Sequence, residues 1–118
     1  MKNYQDLKTR TKKFAANVWR MCNELPNTPA YWSYINQLIR ASSSVGANYR
    51  AALRGKTNAD FINKLKIVEE EADECCFFME LLIEINPDLI KKVTPLLAEA
   101  GELLAITVSS LKTARAKK

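Results

Sequence analysis

The residues of this chain that could do chemistry are three cysteines, a run of carboxylates and a scatter of lysines and arginines; histidine is absent. Without histidine there is no Ser-His or Cys-His nucleophile, no histidine-containing zinc site and no Glu-x-x-His pair of the kind that holds di-iron in a helical bundle. Cys22, Cys75 and Cys76 are odd in number. The last two are adjacent on a helical stretch, about 100° apart around its axis, which does not suit a disulfide framework. Glu69, Glu70, Glu71 and Asp73 follow one another closely, and repeated carboxylates on one helix more often form a solvated face than a metal site. Glu74 has no partner base for acid catalysis. No catalytic residue, metal or cofactor is assigned, and an enzyme is the least supported function class.

The bases are more informative. Eighteen Lys and Arg against thirteen Asp and Glu give a net charge of +5, and the excess is uneven. Residues 1–59 hold ten bases and two acids, a net of +8, whereas residues 60–118 hold eight bases and eleven acids, a net of −3. Basic and acidic helices lying side by side and neutralising one another would explain this, and charge alone favours that reading. The sharper reading is a positive face for phosphate backbones. Its candidate residues are Lys8, Lys12, Lys13, Arg20, Arg50, Arg54 and Lys56.

These side chains must be carried by helices. With 118 residues, three Gly and four Pro, the chain is sized for one domain spanning 1–118 and has few turn formers. Tyr4, Leu7, Thr11, Phe14, Val18, Met21 and Leu25 alternate three and four apart, the spacing of one helix face, and predict a helix from Asn3 to Glu24. Thr28 before Pro29 looks like an N-cap with Pro at the first helical position. A second helix follows to Arg54, ended by Gly55. Thr57 and Asp60 form a capping arrangement for a third, which runs to Ile85 and stops at Asn86-Pro87. The fourth keeps its seam through Pro95, so either it kinks there or a short turn precedes a helix starting near Thr94. Lys112 to Lys118 reads as a frayed basic tail. Short connections make the expected fold all-α, an antiparallel up-down-up-down four-helix bundle. No apolar run approaches the roughly 20 residues of a bilayer span and the N-terminus has no signal-peptide core, so no membrane association and a cytoplasmic location are expected.

The stretch from Gln37 to Tyr49 keeps its helical period through Ser42, Ser43, Ser44 and Gly46, each costing about 0.5–1 kcal/mol relative to Ala in a helix. It therefore reads as a packing surface. Two seams run along this helix about 100° apart. One comprises Tyr31, Tyr34, Leu38, Ala41, Val45, Asn48 and Ala52; the other comprises Trp32, Ile35, Ile39, Ser42, Gly46, Tyr49 and Leu53. The third helix adds Phe77 opposite its own seam. The excess apolar surface predicts a homo-oligomer in which Trp32, Ile35, Ile39, Ser42, Gly46, Tyr49 and Phe77 meet other subunits. Asn48 and Glu74 are expected to be partly buried polar groups, with Arg40, Arg50 or Asn48 as donors to Glu74. Trp19, on the first helix away from its seam, is read as covering a loop or a subunit contact more readily than as stacking on a nucleobase.

Lys13-Phe14-Ala15, Leu25-Pro26, the run from Gln37 to Asn48, Asp60-Phe61-Ile62 and the run from Leu65 to Glu74 together resemble the four-helix-bundle family of proteins encoded in intervening sequences of bacterial 23S rRNA genes. The likeness covers most of the first 85 residues. The final helix matches only in length and periodicity. The superfamily includes the accessory variability protein of diversity-generating retroelements, so the resemblance implies a barrel-shaped homopentamer and, as partners, RNA and a reverse transcriptase. Many family members read Ala-Asn-Ile-x-Glu after the small residues. This chain reads Ala47-Asn48-Tyr49-Arg50-Ala51, without the acid. The expected function is a non-enzymatic oligomeric bundle that binds RNA or DNA through a basic surface, possible partner of a reverse transcriptase; the alternative is a protein-binding scaffold with no nucleic-acid role.

Overall fold

The computed structural model describes residues 4–117. Four helices follow one another: α1 (Tyr4–Cys22), α2 (Pro29–Leu53), α3 (Asn58–Ile85) and α4 (Ile90–Ala116), with a 3-10 turn at Pro87–Leu89. Asn3, the side chain of Tyr4 and Lys118 lie outside the described residues. Cross-helix contacts fix an antiparallel course for each neighbouring pair. Thr11 of α1 faces Gly46 of α2, Arg40 of α2 meets Glu71 and Glu74 of α3, and Asn58 of α3 meets Ala114 of α4. Arg10 of α1 reaches Glu99 of α4, closing the circuit, while α1 and α3 lie on the diagonal. The result is a rod measuring 49 × 24 × 20 Å.

Local chemistry accounts for most helix ends. The hydroxyl of Thr57 accepts the Asp60 N–H at 3.0 Å, and the Asp60 carboxylate accepts the Lys56 N–H at 3.1 Å, so two of the free donors around the start of α3 are satisfied. Thr28 precedes Pro29 as expected, yet its side chain makes no cap hydrogen bond. The start of α2 is held instead by Trp32, whose indole N–H donates to Asn27 at 2.6 Å. Gly55 follows α2 without a left-handed backbone. Its role is close approach, since a Cβ there would lie 3.0 Å from the Asp60 Cβ and 3.2 Å from the Ala52 carbonyl oxygen.

Of the two forms expected of the last helix, the structure takes the one that runs through Pro95: α4 begins at Ile90, after the short turn at Pro87–Leu89, and carries Pro95 within its second turn, so no separate helix starts near Thr94. Nor are residues 112–116 frayed. They are helical, because Leu111 and Ala114 are buried and the Asn58 amide donates to the Ala114 carbonyl at 2.8 Å.

Phe14, Val18, Leu38, Val45, Leu65, Val68, Met79, Leu82, Val93 and Leu111 are all 2% exposed or less. Each such side chain removed from water contributes about 1.5–3 kcal/mol. Between the helices a cavity of about 10 Å³ remains, lined by Leu7, Thr11, Val45, Tyr49 and Thr107 among others. That is room for a single water at most. Thr11 and Thr107 turn their hydroxyls back onto the Leu7 and Leu103 carbonyls, both at 2.8 Å.

Candidate nucleic-acid interface

The antiparallel course gathers the end of α2, the start of α3 and the end of α4 at one end of the rod. Segments 50–64 and 110–117 contain Arg50, Arg54, Lys56, Lys64, Lys112, Arg115 and Lys117 against the single acid Asp60, a net of +6. All seven bases are exposed. Asp60 is committed to capping α3. Two shallow grooves open between the helix ends. One is lined by Phe61, Ser109, Thr113 and Lys117, the other by Leu53, Gly55, Asn58, Phe61 and Lys117. Positive charge, small hydroxyl side chains and a half-buried aromatic ring therefore share one pole. At the opposite end, segments 21–35 and 80–92 hold Glu24, Glu80, Glu84 and Asp88 against Lys91 and Lys92, and Lys92 is ion-paired with Glu24.

Of the seven bases expected to bind nucleic acid, the structure brings Arg50, Arg54 and Lys56 to this pole. Lys12, Lys13 and Arg20 lie instead along the outer face of α1, where they line a shallow groove with Thr9, Ala16 and Asn17. Arg20 donates to Asn17 at 3.0 Å. Lys8 is half-buried. Sequence reading missed Lys64, Lys112, Arg115 and Lys117, because summing charge over two halves of the chain splits the pole at its centre. Summing it over helix ends would have found them.

The residues expected between subunits divide as well. Trp32 and Phe77 are exposed, at 48% and 56%, and Ile35 and Ile39 are half-buried. Ser42, Gly46 and Tyr49 are instead buried within the chain. Gly46 sits under Thr11, whose hydroxyl oxygen would be 3.3 Å from an added Cβ. Small side chains let α1 come close, so this part of the second seam is already covered. Among the polar candidates, half-buried Asn48 stays on its own helix and donates to the Ser44 carbonyl and hydroxyl at 2.9 and 2.8 Å. Half-buried Glu74 accepts a hydrogen bond from Arg40, which also donates to both oxygens of Glu71 at 3.2 Å. The carboxylates hold the Arg40 guanidinium above its ordinary pKa, Glu74 most of all.

A family model described as 23S rRNA-intervening sequence protein matches residues 5–109. The chain belongs to that family. Its fold is shared with a crystal structure from the S23 ribosomal protein family of Bacteroides thetaiotaomicron, a protein of unknown function, at 28% identity and a TM-score of 0.84 over 92% of this chain and 97% of that one. Among curated proteins there is no match. The family match runs through α4 as far as residue 109, further than the motifs of the first three helices reach.

The thiols of this family member sit where the protein disfavours their ionised form. Its cysteines are free, and burial pushes the Cys22 thiol up to about 11 and raises Cys75 and Cys76 as well, so none is an activated nucleophile. Among the described residues no three His, Cys, Asp or Glu side chains come together as metal ligands. No described helix is long and apolar enough to cross a membrane.

Proposed function

We propose that this chain is a non-enzymatic, homo-oligomeric member of its family, pentameric as the resemblance implies, that binds RNA through phosphate contacts at the basic pole. The concentration of seven bases and one capping acid at a single end carries this reading. Adjacent helical surfaces usually mix charges, and at this end they do not. Phosphates following such a surface release counterions, so affinity depends on charge and on salt. The grooves beside Phe61 offer an apolar wall next to Lys117, suited to a base beside its phosphate.

Titration of labelled single-stranded and hairpin RNA at rising salt tests the reading. Affinity should fall log-linearly with salt, and Arg54→Gln, Lys56→Gln and Lys117→Gln together should flatten the slope by about one per lost contact. Absence of binding at low salt rejects it. The rival, a scaffold that binds protein alone, is favoured by the apolar surface that Trp19, Trp32 and Phe77 leave exposed. Co-purification of a protein partner without RNA would support that rival, and a reverse transcriptase is the partner the resemblance implies.

A further inference from the structure

Two exposed stripes on diagonal helices are complementary in charge. On α3, Glu70, Asp73, Phe77, Glu80 and Glu84 recur at intervals of three and four, and all five are exposed. They form one continuous line along the helix, acidic throughout, with a phenyl ring at its centre. None of the four acids is ion-paired to another described residue, although Glu71 and Glu74, round the helix, are both held by Arg40. On α1, Lys12, Lys13, Trp19 and Arg20 occupy the face opposite buried Phe14, Val18 and Met21. Trp19 is 55% exposed. No described residue forms an ion pair with Lys12, Lys13 or Arg20, leaving a basic stripe around an indole where α3 has an acidic stripe around a phenyl.

We infer that the α1 stripe of one copy docks on the α3 stripe of the next. This rests on the homo-oligomer reading above and specifies which surfaces make it. The occupant is a second copy because charge complementarity is carried by the chain itself: each molecule presents both halves, and like stripes would repel. Trp19 and Phe77 supply the apolar centre of the contact, since large aromatics desolvated at the middle of an interface dominate its affinity. The surrounding charges set register and reject the wrong pairing. Because α1 and α3 are diagonal, the two stripes face away from each other across the bundle. The contact is therefore heterologous, passing from each copy to the next and closing into a ring when successive copies are inclined. The bases of α1 are then consumed in assembly, and the pole is left for RNA.

The test uses two charge-reversed chains. One carries Lys12→Glu, Lys13→Glu and Arg20→Glu; the other carries Asp73→Lys, Glu80→Lys and Glu84→Lys. Mass in solution is measured for each alone and for an equimolar mixture, with helical circular dichroism confirming folding. The wild type should exceed its 13.4 kDa monomer mass, each reversed chain should fall to that monomer, and the mixture should rise above it because every contact between unlike chains pairs an acidic with a basic stripe. Two alternating chains cannot close a five-membered ring, so the mass of the mixture should fit an open or even-numbered assembly. Reversed chains that stay assembled, or a mixture that stays monomeric, overturn the pairing while leaving oligomerisation standing. A monomeric wild type overturns both.

Discussion

Gly46 and Gly101 each lie inside a long helix, where Ala would be about 1 kcal/mol better, yet their surroundings are opposite. A Cβ on Gly46 would press on Thr11 Oγ1 at 3.3 Å, while one on Gly101 would meet nothing within 4 Å. The first glycine is explained by the fold of a single chain: it lets α1 settle against α2 over Ser42 and Tyr49. Nothing in the structure explains the second. A small residue within a helical period therefore signals close packing only once the partner surface is known, and the interior α1–α2 contact and the outer face of α4 show the two outcomes.

The strongest way to break this comparison is to overfill both sites. Gly46→Leu should destabilise the protein by about 1–3 kcal/mol or more, because α1 must move or the leucine must adopt a strained rotamer. That corresponds to a fall in Tm of roughly 4 °C for each kcal/mol. Gly101→Leu should leave Tm unchanged or slightly raised. Equal losses at the two sites in thermal denaturation would show that the α1 contact is not tighter than the outer face.

A second contrast sets the two arginine clamps against each other. Arg10 is 19% exposed and donates to Glu99 at 2.6 and 2.8 Å and to Glu102 at 2.5 Å. Arg40, 49% exposed, joins α2 to α3 through Glu71 and Glu74. Arg10→Ala should cost about 1–3 kcal/mol, since Glu99 loses its donors in a partly buried setting. Arg40→Ala should cost about 0–1 kcal/mol, as for exposed pairs. Chemical denaturation measures both, and a larger loss at Arg40 would reverse the ranking by burial.

Smaller still is the effect of one methyl group. Gly101→Ala should raise stability by about 0.5–1 kcal/mol through helix propensity alone. Gly46→Ala should gain less, because the same propensity is offset by the crowding at Thr11. Urea midpoints of the two variants, compared directly, sharpen the difference between the pressed and the open glycine.

Much of this was legible in the sequence, for reasons that differ by residue. Thr57, Asp60, Asn86 and Pro87 act within a few residues of themselves, so the ends of α3 followed from local chemistry. Thr28-Pro29 and Gly55 bounded α2 to within a residue, and the period of three and four gave its seams. What it could not do was say which seam faces which helix. Ser42, Gly46 and Tyr49 carry a regular apolar and small-residue spacing whether the covering surface is α1 or another subunit. The end of α4 depends on Asn58, which caps a carbonyl 56 positions away, and no local pattern announces such a bond. The basic pole was hidden for the same reason: Arg54, Lys64 and Lys117 become neighbours only through topology. For Trp19 the sequence placed the side chain off the α1 seam, and its exposure follows directly, whereas its match with Phe77 on the diagonal helix required both outer faces at once.

The mildest test of interior against outer face uses the thiols. Cys22 on α1 and Cys75 on α3 are buried, at 3% and 0% exposure, and desolvation raises both above the ordinary thiol value of 9.0, Cys22 to about 11. A thiol whose pKa is higher folded than unfolded favours the folded state while both states hold the proton. Above pH 9 the unfolded chain binds fewer protons than the folded one, so stability falls as pH rises from about 9 towards 11 and beyond. Replacing Cys22 and Cys75 together with Ala should lower stability at pH 7 through lost packing, yet flatten the decline between pH 9 and 11. Thermal midpoints across that range should show the wild type falling more steeply than the variant. Parallel profiles would mean that these thiols ionise as freely in the folded chain as in the unfolded one, and that the bundle interior is more open to water than its packing implies.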